Sequence, residues 1–261
     1  MKLEVASRIR FTALWPSPVV LIMSPQSGGG QNVIAEELTI TPSARVREFV
    51  DTFGNLCHRL VMPRGDIDVA MHAVVETSDH IDVDMTAPLT PMDQVPDYVL
   101  EFCLPSRYCQ SDTLGTFTRG VVGDALPGYP QVETIRTWIA SSIKYEYGVS
   151  TTATSVLETL QQRAGVCRDF AHLGIAMCRS IDIPARMVVG YLHELVPMDQ
   201  HAWFEAFIGG RWFTFDATQR FPRGNRVAVA YGRDAADVAI ATQYGSVELT
   251  EMMVSVAPAF A

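Results

Sequence analysis

The segment from Ser155 to Thr218 constrains the fold more tightly than any other part of the chain, because its turn signals admit a short helix, a second helix and a hairpin in that order. Ser155-Val156-Leu157-Glu158 has the spacing of a capping box, in which the serine and glutamate side chains each satisfy a free backbone N–H at a helix start. It predicts a short helix through Arg163, with Gly165 as the residue that ends it. Phe170, Leu173, Ala176 and Met177 then recur at helical spacing, so a second helix begins at Cys167. Further on, Gln200 to Ile208 alternates His201, Trp203, Glu205 and Phe207 with Ala202, Phe204, Ala206 and Ile208. Gly209-Gly210 then supplies a two-residue turn and Arg211 to Asp216 returns. A tight turn sets Ile208 opposite Arg211, and counting outward sets His201 opposite Thr218. Asp216 lies on the same face, in the diagonal position about 7–8 Å away. Phe204, Ala206, Ile208, Phe213 and Phe215 make the other face a core surface.

Three residues in that frame carry chemistry. Cys167 falls in the first turn of the second helix, where unpaired N–H groups and the positive end of the helix dipole favour a thiolate and can hold an oxyanion. His201 and Asp216 meet across the hairpin, so the carboxylate holds the imidazole by one ring nitrogen while the other faces the thiol. A nucleophilic thiol needs such a base and such an orienting group. Cys167, His201 and Asp216 are therefore the candidate catalytic residues. Tyr191 and Trp203 border them in sequence and are the candidate substrate-binding residues.

Arg163-Ala164-Gly165-Val166-Cys167-Arg168-Asp169-Phe170-Ala171-His172 is followed by Ile183-Pro184-Ala185-Arg186, by Gly190-Tyr191-Leu192 and by Asp199-Gln200-His201-Ala202-Trp203. With these motifs the chain resembles the bacterial transglutaminase-like proteins, relatives of animal transglutaminases on a papain-like fold. The likeness extends to Asp51-Thr52-Phe53-Gly54-Asn55 in the N-terminal region, to Leu104-Pro105-Ser106-Arg107-Tyr108-Cys109 in a linker, and to Gly232-Arg233-Asp234-Ala235-Ala236-Asp237-Val238 near the C-terminus. It departs at Ala217, where the family more often has proline. The resemblance implies an α+β fold: a transglutaminase-like core of helices packed on an antiparallel sheet, preceded by a β-sandwich-like N-terminal domain. It implies Cys167 as nucleophile, His201 as base and Asp216 as its orienter. The implied reaction is acyl transfer through a thioester on Cys167, from a peptide, protein or amide substrate. Water as acceptor makes a cysteine protease or amidase, which is the reading adopted; an amine as acceptor makes a transglutaminase or transpeptidase. In animal transglutaminases a tryptophan upstream of the cysteine helps hold the oxyanion. Trp138 lies upstream here, and the second oxyanion donor stays open. No cofactor is expected, and the calcium dependence of the animal enzymes does not carry over, since no acidic loop has the spacing of a calcium site.

Charge narrows the partners. A net charge of −9, with basic residues scattered rather than clustered, argues against nucleic acid or an anionic membrane surface. Val19 to Met23 is too short to span a bilayer, and the pattern around Arg8 and Arg10 alternates like a strand rather than a signal peptide, so a cytoplasmic location is expected. Five cysteines without regular spacing fit a reducing compartment better than a disulfide framework.

The 261 residues divide by pattern. Residues 1–84 read as a β-rich domain, with strands from Leu3 to Phe11, Ala35 to Thr41, Arg45 to Asp51, His58 to Met62 and Asp68 to Val75. Residues 85–112, broken by Pro88, Pro91, Pro96 and Pro105, read as a linker. Residues 113–222 form the catalytic core, and residues 223–261 a C-terminal β extension.

Blander readings compete. Cysteine is among the most often buried residues, and Cys178, deeper in the same helix, is expected in the core. His172 is rotated about 140° from Cys167 on a helix and reads as a brace rather than a base. A non-catalytic protein-binding module is the alternative of another class. A metal site on Cys167, His172 and His201 matches no standard zinc spacing.

Overall fold

Strict alternation of apolar residues opens the chain. In the computed structural model, which describes residues 1–259, β1 (Lys2–Ala13) buries every second residue from Leu3 to Ala13 and turns the others toward solvent. The chain continues through β2 (Ser17–Leu21), β3 (Asn32–Thr41), β4 (Arg47–Val50), β5 (Leu56–Met62) and β6 (Gly65–Glu76). A helical stretch follows: α1 (Asp97–Leu100), α2 (Gly115–Val122), α3 (Tyr129–Ser142), β7 (Lys144–Tyr145), α4 (Val156–Gln162), β8 (Ala164–Gly165) and α5 (Cys167–Arg179). The last third is β9 (Ala185–Leu192), β10 (His201–Ile208), β11 (Arg211–Phe215), β12 (Arg226–Gly232), β13 (Ala241–Gln243) and β14 (Val247–Pro258).

Among the described residues, three four-stranded antiparallel sheets form. Two, ordered β14-β1-β6-β3 and β13-β2-β5-β4, form the N-terminal sandwich-like module; the third, β11-β10-β9-β12, carries α5. The expected mixed α/β architecture, with a β-rich N-terminal region, is what the chain adopts. The C-terminal segment is divided, however. β12 pairs with β9, Arg226 opposite Leu192, and so completes the third sheet beyond residue 222. β14 returns to the first strand, with Leu3 opposite Pro258. Periodicity shows which face of a strand is buried and not which strand lies beside it, so residues 223–261 read as one extension where two destinations exist.

Close approach fixes α5 against β10. A Cβ on Gly174 would stand 2.3 Å from the Phe204 ring, so only glycine lets helix and strand meet there. At its far end, buried Arg179 donates to the carbonyls of Leu104, Ala185 and Arg233 and to the Ser106 hydroxyl, tying linker and C-terminal motif to the helix. The linker itself runs over the hairpin turn, where the Gly209 N–H donates to the Pro88 carbonyl and the Gly210 N–H to the Thr90 hydroxyl.

Two side-chain amides join the modules. β12 is the edge of its sheet, and Asn55 pairs with the backbone of Tyr231 as another strand would, accepting from its N–H at 2.8 Å and donating to its carbonyl at 2.8 Å. Gln31 does the same at Ala228. The Asp51-to-Asn55 motif thereby gains a physical reason: the Asp51 carboxylate accepts from the N–H groups of Phe53 and Asn55 and from the Asn55 amide, fixing that side chain in place. A paired edge is also a protected edge.

Candidate active site

Cys167 opens α5 as its sequence context predicts, but the turn before it is built differently. The residue that ends α4 is Arg163, in left-handed conformation with φ 56°. Gly165 instead pairs with Tyr145 in the two-residue parallel ladder of β7 and β8. A side chain there would strike Asp169, whose Cβ lies 2.7 Å from where it would begin. Asp169 fills that space, accepts from the Val166 N–H at 2.9 Å and pairs with Arg168 at 2.8 Å, holding the start of the helix.

The hairpin delivers the other two residues. Ile208 faces Arg211 across the Gly209-Gly210 turn, and the ladder runs to Phe204 opposite Phe215. Just beyond it, His201 Nε2 lies 2.7 Å from Asp216 Oδ2. His201 and Asp216 are 2% and 5% exposed. Nδ1 is the ring nitrogen that Asp216 leaves free, and Cys167 lies near enough to help raise the imidazole pKa. Asp216 is fully engaged: Oδ2 also accepts from Arg226 Nη2 at 2.9 Å, and Oδ1 accepts from the Thr218 N–H and hydroxyl.

These contacts set the charges. Burial alone would lower the His201 pKa, but the Asp216 charge, its hydrogen bond and Cys167 outweigh it and hold the imidazole at about 9. Burial likewise works against the Asp216 anion, yet Arg226, His201 and Thr218 together keep its pKa well below the usual carboxylate range.

A cavity of about 190 Å3 opens on His201, lined by Tyr145, Tyr147, Leu195, Val196, Pro197, Thr218 and Gln219 among others. Tyr145 is an addition to the expected set. The short ladder sets it opposite Gly165, two residues before Cys167, and burial, then Cys167 and Tyr147, push its pKa up, so it stays a proton donor.

Tyr191 and Trp203, expected to border the slot, do not. Tyr191 is fully buried in the core opposite Val227 of β12. Trp203 is 2% exposed, stacks on His201 with ring centres 6.1 Å apart, and lines a separate cavity. Two residues along a strand is about 6.6 Å, enough to carry a side chain out of a small cleft. Trp138 packs on Phe117 and Arg163.

The bland readings also find their places. His172 stacks on Tyr108, ring centres 5.0 Å apart, and its Nε2 accepts from the Ala235 N–H at 3.1 Å; burial drops its pKa to about 3. Cys178 is buried in the core, as is Cys109, whose thiol burial pushes up to about 12. Among the described residues no group of three or more His, Cys, Asp or Glu side chains is placed to hold a metal, and no helix is long and apolar enough to cross a membrane.

A helix that opens on a cysteine, packed against an antiparallel sheet whose hairpin carries histidine and aspartate, defines the transglutaminase-like class of papain-fold proteins. The chain belongs to the transglutaminase-like superfamily. The superfamily core model matches residues 115–217, and that of the bacterial transglutaminase-like N-terminal region matches residues 12–76. The chain is similar to an uncharacterized protein of Mycobacterium leprae, 30% identical over 83% of this chain and 82% of the relative. An uncharacterized Mycobacterium bovis protein is 28% identical over 83% and 77%. Among solved structures, "a Putative Cysteine Protease from Cytophaga hutchinsonii" superposes with a TM-score of 0.93 at 37% identity, covering 98% of this chain and 90% of that one.

Proposed function

We propose that the protein is a cysteine-dependent acyl-transfer enzyme that hydrolyses peptide or amide bonds. The observation that carries this reading is the buried Asp216–His201 hydrogen bond of 2.7 Å, with the thiol of Cys167 at the start of α5 acting on the same imidazole beside an open cleft. Asp216 keeps the Nε2–H donating to it and stabilises the imidazolium. The Cys167 thiolate attacks the amide carbon, and the developing oxyanion is met by the Cys167 N–H and the Tyr145 hydroxyl. His201 Nδ1 passes its proton to the departing amine, the C–N bond breaks, and a thioester remains. Water then gives a proton to Nδ1 as its oxygen attacks the thioester, releasing the acid and the thiolate. The similarity to a chain named as a cysteine protease supports water as the acceptor.

The test is a peptide-substrate panel with and without a primary amine, read by mass spectrometry against Cys167→Ala. New carboxylate ends that disappear in the variant are expected. Amine adducts alone would assign a transglutaminase or transpeptidase, and an unmodified panel with no acyl group on Cys167 would assign a binding module.

A further inference from the structure

On the face of β10 turned away from α5 lies a second cavity, of about 320 Å3, roofed by residues 29–31 and 77–82. Its walls are aromatic and charged. Arg186 is clamped there, bonded to Glu205 at 2.8 Å and sandwiched 4.2 Å from the Trp212 ring and 4.3 Å from that of Tyr231. Its chemistry is internally satisfied. Two other lining residues differ. Trp203, 2% exposed, has a buried indole N–H without a partner, and Arg226, 7% exposed, has a buried Nη1 without one. The two side chains are adjacent, with the Arg226 guanidinium 5.0 Å from the Trp203 ring centre.

Both groups are donors only, so whatever satisfies them brings acceptors. Native interiors seldom leave such donors unmatched. We propose that this cavity is a binding site for the carboxylate of a small organic acid, with one oxygen on Trp203 Nε1, the other on Arg226 Nη1, and the apolar part against Trp212 and Tyr231. Charge favours a monoanion. Glu205 and Asp82 also line the cavity and disfavour a phosphate dianion. The volume sits at the small end of the usual range of about 300–1,000 Å3. The roof is built to come close, since a Cβ on Gly29 would stand 2.7 Å from the Tyr231 hydroxyl. The site is separate from the cleft at His201, and Arg226 links the two through Asp216, to which it donates from Nη2.

The carboxylate has two sources, a free acid or the end of a peptide chain, and both can be tested. In protein labelled with 15N at its four tryptophans, the indole signal of Trp203, assigned with Trp203→Phe, is followed during titration with phenylacetate, N-acetylphenylalanine and inorganic phosphate. A saturable shift with either carboxylate, retained in Cys167→Ala and weakened about tenfold in Trp203→Phe as read by the Trp212 signal, is expected for a lost hydrogen bond. The tighter carboxylate identifies the source. If Trp203→Phe does not fold, the Trp212 and remaining indole signals of the wild type decide alone. No saturable shift, or one with phosphate only, overturns the proposal.

Discussion

His172 and His201 are buried to the same degree, 1% and 2% exposed, and are driven in opposite directions, to about 3 and about 9. Burial disfavours the cation in both. The difference is the partner: His201 faces the Asp216 carboxylate at 2.7 Å, while His172 accepts a neutral backbone N–H and has Arg168 and Arg179 nearby. One histidine is a brace because burial and the two arginines outweigh Asp169, the nearby charge that favours a proton. The other is poised to carry one because Asp216 favours it, and Asp216 is itself held by Arg226 and Thr218.

The largest way to break this contrast is Asp216→Asn. It leaves Arg226 buried without its anion and His201 without its charge partner, so stability should fall by about 3–5 kcal/mol in denaturant titration, the usual cost of halving a buried ion pair. Peptide hydrolysis should fall about 10²–10⁴-fold in the folded fraction. His172→Ala should cost about 1–3 kcal/mol, for an acceptor lost to the Ala235 N–H and a stacking partner lost to Tyr108, while sparing the pH dependence of Cys167 alkylation. The two histidines also act at opposite ends of the stability profile. The lowered His172 pKa contributes stability that is present above about 6.5, the unfolded value, and lost as pH falls toward about 3. The raised His201 pKa contributes stability that is present below about 6.5 and lost as pH rises through about 9. Thermal melts should therefore show a flatter acid limb in His172→Ala and a flatter alkaline limb in His201→Ala. Tyr145→Phe should keep the fold and lower kcat about tenfold or more with little change in KM, since the role proposed for its hydroxyl is to meet the oxyanion. The smallest effect is expected of Asn55→Ala, about 1–2 kcal/mol, for the two hydrogen bonds to Tyr231 at the edge of β12 and the one to Asp51 that the amide makes.

Local turn chemistry made the frame of the site legible. Phe170, Leu173, Ala176 and Met177 marked α5, and Gly209-Gly210 fixed the register that carries His201 to Asp216. What escaped notice depends on partners distant in the chain. Tyr145 comes to Gly165, just before α5, through a two-residue parallel ladder too short for any periodicity to show. Arg163 adopts a left-handed conformation that residue type alone would give to Gly165. Tyr191 and Trp203 border the site in sequence, whereas alternation along β9 and spacing along β10 put them elsewhere. Asn55 and Gln31 dock an edge strand more than 170 residues away, a relation no local pattern encodes.

The most direct test is the rate of iodoacetamide labelling at about pH 7, mapped by mass spectrometry, in wild type, His172→Ala and His201→Ala. Labelling concentrated on Cys167, slowed about tenfold or more in His201→Ala and unchanged within about twofold in His172→Ala, is the expected result. Equal loss in both variants, or labelling spread over the other four cysteines, would contradict it.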